Sequence, residues 1–176
     1  MSDEGATPRE LVLEACRRNN TSLLSEVLTS LNTPHDVADL LNNAKDGVGN
    51  HCLHLAASYG SYDVLDILLD QEDLEVDPVD RLERDTPLHK AIRFINTLPS
   101  SQWESASSIA DLLIDAGADP RIRNKAKLKP MDLVDPKNKE LRNALQKAEY
   151  AMTVGDDVVV GDAPDEGPTG SASDSD

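Results

Sequence analysis

Aromatic residues and cysteines are scarce in this chain of 176 residues. Aromatic side chains make up 3% of the sequence against 39% hydrophobic residues in total, so the apolar content is mainly Leu, Ala, Val and Ile. Such residues suit helices, and this length favours one mostly helical domain. Cys16 and Cys52 show no disulfide spacing, so we expect a reducing compartment.

Long apolar runs and basic clusters are also missing. No run approaches the ~20 apolar residues of a membrane-spanning helix, and the first residues do not resemble a secretion signal. The formal net charge of −16 argues against nucleic-acid binding, because phosphate contacts need clustered Lys and Arg. We therefore expect a cytoplasmic or nuclear protein, or one found in both compartments, that is monomeric when unbound and has a basic protein partner.

Residues 151–176 contain seven acidic residues and no basic residue, with Gly, Pro and Ser throughout. This composition cannot bury enough apolar surface to order itself, so it predicts a disordered acidic C-terminal tail. Residues 1–150 remain acidic, with 26 acidic and 17 basic side chains. We also expect residues 1–7 to be disordered.

Three segments of the chain align in register. They read "GNHCLHLAA" from Gly49, "RDTPLHKAI" from Arg84 and "KLKPMDL" from Lys127. Asp46, Asp80 and Asn124 open the three units at separations of 34 and 44 residues, so the second unit contains an insertion of about ten residues. The underlying period is close to 33 or 34 residues.

Each alignment is followed by apolar residues at helical spacing, such as Val64, Leu65 and Leu68. Gly117, in "LLIDAGADP", stands where a left-handed helix cap is expected. These motifs, over roughly residues 46 to 134, resemble the ankyrin repeat family. The resemblance implies an all-α solenoid of about four helix pairs with short β-hairpin fingers near 46–50, 75–85 and 118–129. We assign a capping repeat at 8–43, repeats at 46–79 and 80–123, and a C-terminal capping repeat at 124–150.

In the family that the sequence resembles, the "TPLH" residues begin the first helix and satisfy backbone groups between neighbouring repeats. The resemblance therefore implies structural roles for His54, Thr86, Pro87, Leu88, His89 and Gly117. A zinc site at His51, Cys52 and His54 is the alternative, but no second ligand cluster accompanies them. We expect no metal and no cofactor.

Glycine-rich phosphate loops and nucleophile elbows are absent, so the sequence does not predict an enzyme. The family resemblance implies a protein-interaction module that binds through a concave face. It extends to small fungal ankyrin repeat proteins, some of which are uncharacterised and some of which are chaperones of a newly made ribosomal protein. Alternatives are a regulatory subunit or inhibitor of a nuclear or signalling complex.

The insertion, residues 94–104, contains the only tryptophan. Ser101 and Glu104 have the spacing of a capping box, which predicts a helix start near Ser101. Trp103 either packs against Phe94 or anchors a partner, since tryptophan is enriched in binding hot spots.

Two predicted fingers differ in charge. Residues 70–80 include six acids and no base, whereas residues 121–129 include five bases and no acid. They either attract each other or form a docking surface of two signs that orients a partner. The candidate partner-binding residues are Asp70, Glu72, Asp73, Glu75, Arg81, Arg84, Trp103, Arg121, Arg123 and Lys125.

Overall fold

The computed structural model describes residues 5–162, and side chains as far as residue 156. Nine α-helices follow one another in this part of the chain, and a single 3-10 turn, Ser100–Gln102, precedes the seventh. The helices are α1 Pro8–Arg18, α2 Thr21–Thr29, α3 Pro34–Asn43, α4 Cys52–Ser58, α5 Tyr62–Leu69, α6 Pro87–Asn96, α7 Trp103–Asp115, α8 Pro130–Leu133 and α9 Lys139–Asp162. The prediction of an all-helical domain is confirmed. None of the described helices is both long and apolar enough to cross a bilayer.

Thr-Pro pairs begin three of these helices. Proline fits the first helical turn because it has no N–H to leave unpaired, and the preceding threonine supplies an acceptor for a free amide. Thr7, Thr33 and Thr86 each accept a hydrogen bond from the backbone N–H three residues ahead, at 3.2, 3.0 and 3.3 Å. The starts of α1, α3 and α6 are therefore fixed by local sequence.

The helices form two parallel rows. The inner row consists of α1, α4, α6 and α8, each of which contacts the next, and α2, α5 and α7 contact one another as the outer row. The core between the rows is aliphatic, as the composition predicts. Its fully buried large residues include Leu24, Leu53, Leu65, Leu68, Leu88, Ile92, Ile95, Leu113, Leu141 and Leu145.

Helix α3 is an addition to the predicted helix pairs. It begins with a capping box in which Thr33 and Asp36 exchange backbone hydrogen bonds, and it buries Val37 and Leu41. The N-terminal segment therefore holds three helices before the first finger rather than two. Thr33-Pro34 with Asp36 is a helix-start signal in the sequence. Helix α3 was nevertheless not predicted, because residues 8–43 were assigned to a single helix pair.

The fingers contain no β-strand within residues 5–162, where the only bridge joins Lys45 and His51. The predicted β-hairpins are wrong because side chains take the place of the second strand. Asp46 Oδ1 accepts from the N–H groups of residues 48 and 50, Asp80 Oδ1 from that of Asp85, and Asn124 Oδ1 from those of residues 126 and 128. Each finger is thus a turn built around its opening Asp or Asn.

The insertion forms a 3-10 turn and then α7, which begins at Trp103. The predicted capping box of Ser101 and Glu104 is wrong, because Gln102 is the residue before α7 and no side chain caps the helix. The Trp103 indole N–H instead donates to the Leu98 carbonyl at 3.1 Å. The Phe94 ring lies over Gly60 of the preceding repeat, where an added Cβ would come within 2.4 Å of Cζ.

Helix α9 extends beyond the predicted end of the domain at Tyr150. Met152 remains half-buried, the Thr153 hydroxyl donates to the Glu149 carbonyl at 3.0 Å, and Asp156 pairs with Arg121 at 2.8 Å. These contacts continue the helix into the segment predicted to be a disordered tail, so a boundary at residue 150 does not match the end of α9. The rest of that predicted tail, 163–176, and residues 1–4 lie outside the described residues.

Leu68 tests the core. It is fully buried between the two rows, so Leu68→Ala is expected to lower the free energy of unfolding by about 2 to 5 kcal/mol. Leu82→Ala is the matched control because Leu82 is 57% exposed on a finger, and it should cost less than about 0.5 kcal/mol. Urea titration measures both, and equal values would refute this assignment of the core.

Candidate functional site

Two buried histidines, His54 of α4 and His89 of α6, each join their helix to the following finger. His54 Nδ1 accepts from the His51 N–H at 3.0 Å, so the Nε2–H is free to donate to the Asp85 carbonyl at 2.8 Å. His89 repeats the arrangement, with Nδ1 accepting from the Thr86 N–H at 3.1 Å and Nε2 facing the Leu128 carbonyl at 2.8 Å. Both rings are neutral in this arrangement, because Nδ1 must keep its lone pair.

Burial shifts the titration of both rings. It lowers the pKa of His54 from 6.5 to about 4 and also lowers the pKa of His89. Neither ring has a free nitrogen for a metal. Cys52 is 1% exposed in the core, where its thiol, together with burial, raises the pKa of Cys16. Within residues 5–162, no three His, Cys, Asp or Glu side chains are arranged to hold an ion.

A polar network beneath the second finger binds the basic side chains of α6. Asp85 is fully buried and accepts from Arg93 Nε at 2.7 Å and from Asn124 Nδ2 at 2.9 Å. Although burial opposes its ionisation, the Arg93 and Asn124 hydrogen bonds lower the pKa of Asp85. Lys90 pairs with buried Asp80 at 3.2 Å. The network leaves these cations little capacity to contact a partner.

Four acids follow α5 and precede the finger turn. Asp70, Glu72, Asp73 and Glu75 are all exposed, and none forms an ion pair with another side chain in the described part of the protein. We call residues 70–75 the acidic segment. The other two acids of the predicted finger differ, since Asp77 is half-buried and accepts from the Asp119 N–H at 3.0 Å, and Asp80 is buried.

Asn42 of α3 fixes the backbone of the acidic segment. Its Nδ2 donates to the Asp73 carbonyl at 2.9 Å, and its Oδ1 accepts from the Glu75 N–H at 2.9 Å. Asp73 has a left-handed φ of 59°, which Asp tolerates better than most residues. The four carboxylates therefore stand on an ordered backbone. Asn42 was not among the predicted site residues because α3 was not predicted.

A groove of about 390 Å³ separates the acidic segment from α2 and α3. Leu28, Leu31 and Val37 supply apolar surface, and Asp70 and Glu72 supply negative charge at its edge. We call this feature the acidic groove. These acids were predicted to lie on a finger of the concave face, whereas the finger turn itself consists of residues 81–84.

The bases of the third finger, residues 121–129, form ion pairs with acids of the same finger and of α9. Arg121 binds Asp119 at 2.9 Å and Asp156 at 2.8 Å, and Lys129 binds Glu149 at 2.6 Å. Over the described side chains, no ion pair joins the acidic segment to residues 121–129. Among the described side chains, Arg121 and Lys129 are bound by acids of their own finger and of α9 rather than by the acidic segment.

The remaining candidate residues lie in different places. Arg123 is exposed and donates to the Lys127 carbonyl at 2.9 Å, and Lys125 is exposed beside it. Arg81 donates to the Gly47 carbonyl at 2.7 Å, and Arg84 is exposed with a left-handed φ of 56°. Trp103 is half-buried in the insertion. The structure thus spreads the ten candidates over three regions.

Gly117 has a φ of 104° two residues after the end of α7, where the N–H of Ala118 returns to the Leu113 carbonyl at 3.0 Å. This is the left-handed cap on which the repeat pattern depends. A family model described as "Ankyrin repeats (3 copies)" matches residues 11–124, which include most of α1, all of α2 to α7 and the start of the third finger. The chain belongs to the ankyrin repeat family.

Two known proteins are similar to this chain in sequence. The ankyrin repeat-containing protein YGL242C of Saccharomyces cerevisiae is 43% identical over 176 residues, covering 96% of this chain and 95% of the yeast protein. The transient receptor potential cation channel subfamily A member 1 homolog of Caenorhabditis elegans is 30% identical over 137 residues, covering 70% of this chain but 11% of the worm protein. The predicted resemblance to a small fungal ankyrin repeat protein is confirmed.

The buried histidines make the stability of the ankyrin stack depend on pH. A folded-state pKa of about 4 lies below the unfolded value of 6.5, so the contribution of His54 is complete above about pH 6.5 and is lost as pH falls towards 4. Between pH 7 and pH 5 the loss from His54 should reach about 2 kcal/mol. His54→Gln should lower stability at pH 7 but flatten this dependence.

Urea titration at several pH values from 5 to 7 measures the effect, in a range above the titration of most carboxylates. His35→Gln is the control, because His35 is exposed on α3, and it should keep the parent slope. His51 and His89, whose pKa values burial also lowers, should retain part of the dependence in the His54 variant. An unchanged slope in His54→Gln would contradict the neutral, doubly bonded ring.

Metal removal provides a second test. A strong chelator is expected to leave the melting temperature unchanged, because both His54 nitrogens are bonded to backbone groups and Cys52 is buried. Differential scanning fluorimetry with and without added zinc measures this. A fall in melting temperature that zinc restores would overturn the structural role of His54.

Proposed function

We propose that this ankyrin repeat protein is a non-catalytic protein-binding module whose acidic groove takes a basic segment of its partner. Membership of the ankyrin repeat family supports protein binding as the general activity. The acidic groove supports the chemistry of the partner: Lys or Arg side chains for the carboxylates of the acidic segment, and apolar side chains for Leu28, Leu31 and Val37.

The observation that supports this proposal most strongly is that the unpaired acids stand on an ordered backbone. Asp70, Glu72, Asp73 and Glu75 form no ion pairs in the described part of the chain, and Asn42 holds their backbone. Ordered charges lose less conformational entropy on docking than charges on a mobile loop. Unpaired carboxylates also exchange hydration for a partner's cations without first breaking an internal ion pair.

The negative charge of the outer row also favours a basic partner, and it acts at longer range. Helices α2, α5 and α7 contain acidic residues and no basic residue. Their acids are Glu26, Asp63, Asp66, Glu104, Asp111 and Asp115. Burial, with the neighbouring Asp115, raises the pKa of Asp111, as expected where like charges crowd. A negative outer row attracts cationic segments and accelerates their encounter.

Two narrower roles agree with this chemistry. A chaperone of a newly made ribosomal protein needs a surface that covers basic segments, and the acidic groove has that sign. A regulatory subunit or inhibitor of a nuclear or signalling complex needs one specific basic docking segment. In either role we propose that the protein acts without catalysis, in the cytoplasm, the nucleus or both.

The test of the acidic groove compares two variants with the same change in charge. The groove variant combines Asp70→Asn, Glu72→Gln, Asp73→Asn and Glu75→Gln, and the control combines Asp66→Asn, Glu104→Gln, Asp115→Asn and Glu140→Gln. A labelled peptide of alternating Lys and Leu residues is the probe, followed by fluorescence anisotropy at low salt and at about 1 M salt, where the screening length is about 3 Å. The groove variant should bind at least about tenfold more weakly than the parent, and the control should lose much less.

Capture from cell extract then identifies the partner. Proteins retained by the parent chain, released by salt and absent from capture with the groove variant are the specific set, and ribosomal proteins among them would favour the chaperone role. Equal loss of peptide binding in both variants would mean that only net charge matters. Binding unaffected by either variant and by salt would contradict the proposed function.

A further inference from the structure

The three finger turns lie side by side and form one exposed surface. Arg81 Nη2 donates to the Gly47 carbonyl at 2.7 Å, which ties the first turn to the second. The Lys125 N–H donates to the Glu83 carbonyl at 2.8 Å, which ties the second to the third. An added Cβ at Gly49 would lie 2.8 Å from Arg81 Cβ, so the first two turns are in close contact at Gly49. We call residues 45–49, 81–84 and 125–127 the tip surface.

The tip surface is cationic although the protein as a whole is strongly acidic. It contains five bases, Lys45, Arg81, Arg84, Lys125 and Lys127, and two acids. One of those acids, Asp46, has a side chain that is 14% exposed and is bonded to the backbone of its own turn. Among the described side chains, none of the five bases forms an ion pair. Their charges are available to a partner.

Exposed apolar side chains accompany these bases. Val48 is 47% exposed on the first turn and Leu82 is 57% exposed on the second. Both belong to the few large apolar residues that the described structure leaves exposed, and they stand on neighbouring turns that are bonded together. Between the turns, a recess of about 330 Å³ is lined by the bases Lys45, Arg81 and Arg84 and by the acids Asp46 and Asp80, whose Oδ1 atoms accept backbone N–H groups of their own fingers. The bases of the recess can bind a carboxylate side chain, and Val48 and Leu82 stand on the same two turns.

We propose that the tip surface binds an acidic segment of a protein partner, with apolar side chains on Val48 and Leu82 and carboxylates on the surrounding bases. Charge complementarity selects the sign of the partner, and the acidic groove selects the opposite sign on another part of the molecule. The two surfaces therefore take different segments. This inference does not depend on the proposed function of the acidic groove.

Geometry suggests the form of the segment. Packed helices lie about 8 to 10 Å apart, and the first two turns precede α4 and α6, which contact each other. Three residues of polyproline II helix span about 9 Å and bring the side chain back to the same side. An acidic segment with an apolar residue at every third position therefore matches Val48 and Leu82 in succession.

The test uses the full chain and three labelled peptides built from repeated units. Leu-Asp-Pro is the matching probe, Leu-Lys-Pro reverses the charge and Ser-Asp-Pro removes the apolar contact. Fluorescence anisotropy at low salt should show binding of Leu-Asp-Pro, with Ser-Asp-Pro about fivefold weaker. Leu-Lys-Pro should show no binding to the tip surface.

Variants of the tip surface then locate the contact. Arg84 and Lys127 have left-handed φ values of 56° and 70°, so Arg84→Asn and Lys127→Asn suit the backbone and are combined with Lys125→Gln. This triple variant should weaken Leu-Asp-Pro binding about tenfold, and Leu82→Ser about fivefold. The charge-matched control combines Arg9→Gln, Arg142→Gln and Lys147→Gln, and it should bind like the parent. The groove variant should also keep this binding.

Four results would overturn the proposal. Failure of Leu-Asp-Pro to bind the parent would do so, and so would equal losses in the triple variant and its control. Single-stranded RNA that binds the tip surface as tightly as the peptide, and independently of Leu82, would identify a polyanion surface instead. Binding that appears only after truncation at Asp162 would mean that the chain's own acidic C-terminal residues occupy the tip surface. Circular dichroism of each variant verifies the fold.

Discussion

The hydrogen bond from a buried imidazole to the carbonyl of the next finger sets the spacing of the second and third fingers along the stack. His54 reaches Asp85 and His89 reaches Leu128, each at 2.8 Å, while the other ring nitrogen accepts the amide that opens the ring's own helix. A single side chain therefore fixes a helix start and the position of the following turn. Because no solvent reaches these rings, an imidazole that lost either partner would leave a buried polar group unpaired.

The same bonds determine how charge is distributed. Holding the second finger against α6 buries Asp80 and Asp85, and these acids require Lys90 and Arg93 as counterions. Lys90 and Arg93 of α6 are thereby engaged by these acids, whereas the bases on the finger turns stay exposed and form no ion pair among the described side chains. The outer row has no bases to expose. A strongly acidic protein thus has a cationic tip surface and a negative outer row, and its net charge gives no sign of this separation.

The features that repeat along the chain could be predicted from the sequence, and the features that occur once could not. The repeated frames around His54 and His89 located the inner-row helices, and the aliphatic stripes located the core. Helix α3, the extension of α9 and the route of the acidic segment occur once each. The start of α3 is encoded locally by Thr33-Pro34 and Asp36, but the packing of these features depends on contacts between distant residues, such as Asn42 with Asp73 and Arg121 with Asp156, which no spacing within one repeat encodes.

The fingers show a further limit of pattern analysis. An Asp or Asn opening each unit is compatible with a strand pair and with a turn, because both need an acceptor near the same amides. The outcome depends on whether the carboxylate or amide oxygen of Asp46, Asp80 or Asn124 reaches those amides before a second strand does. Local geometry within a few residues decides between the strand pair and the turn, and a pattern of apolar and polar residues does not distinguish them.

The position of Trp103 determines what intrinsic fluorescence can observe in this molecule. The only indole of the chain is half-buried at the start of α7, and its N–H is bonded to Leu98 within the same repeat. Contacts in a repeat stack are made mainly between neighbours, so its ends can open separately. Tryptophan emission therefore reports the unfolding of the third helix pair, α6 and α7, and does not report fraying of α1 to α3. A difference between emission and far-ultraviolet circular dichroism would measure the independence of the N-terminal end directly.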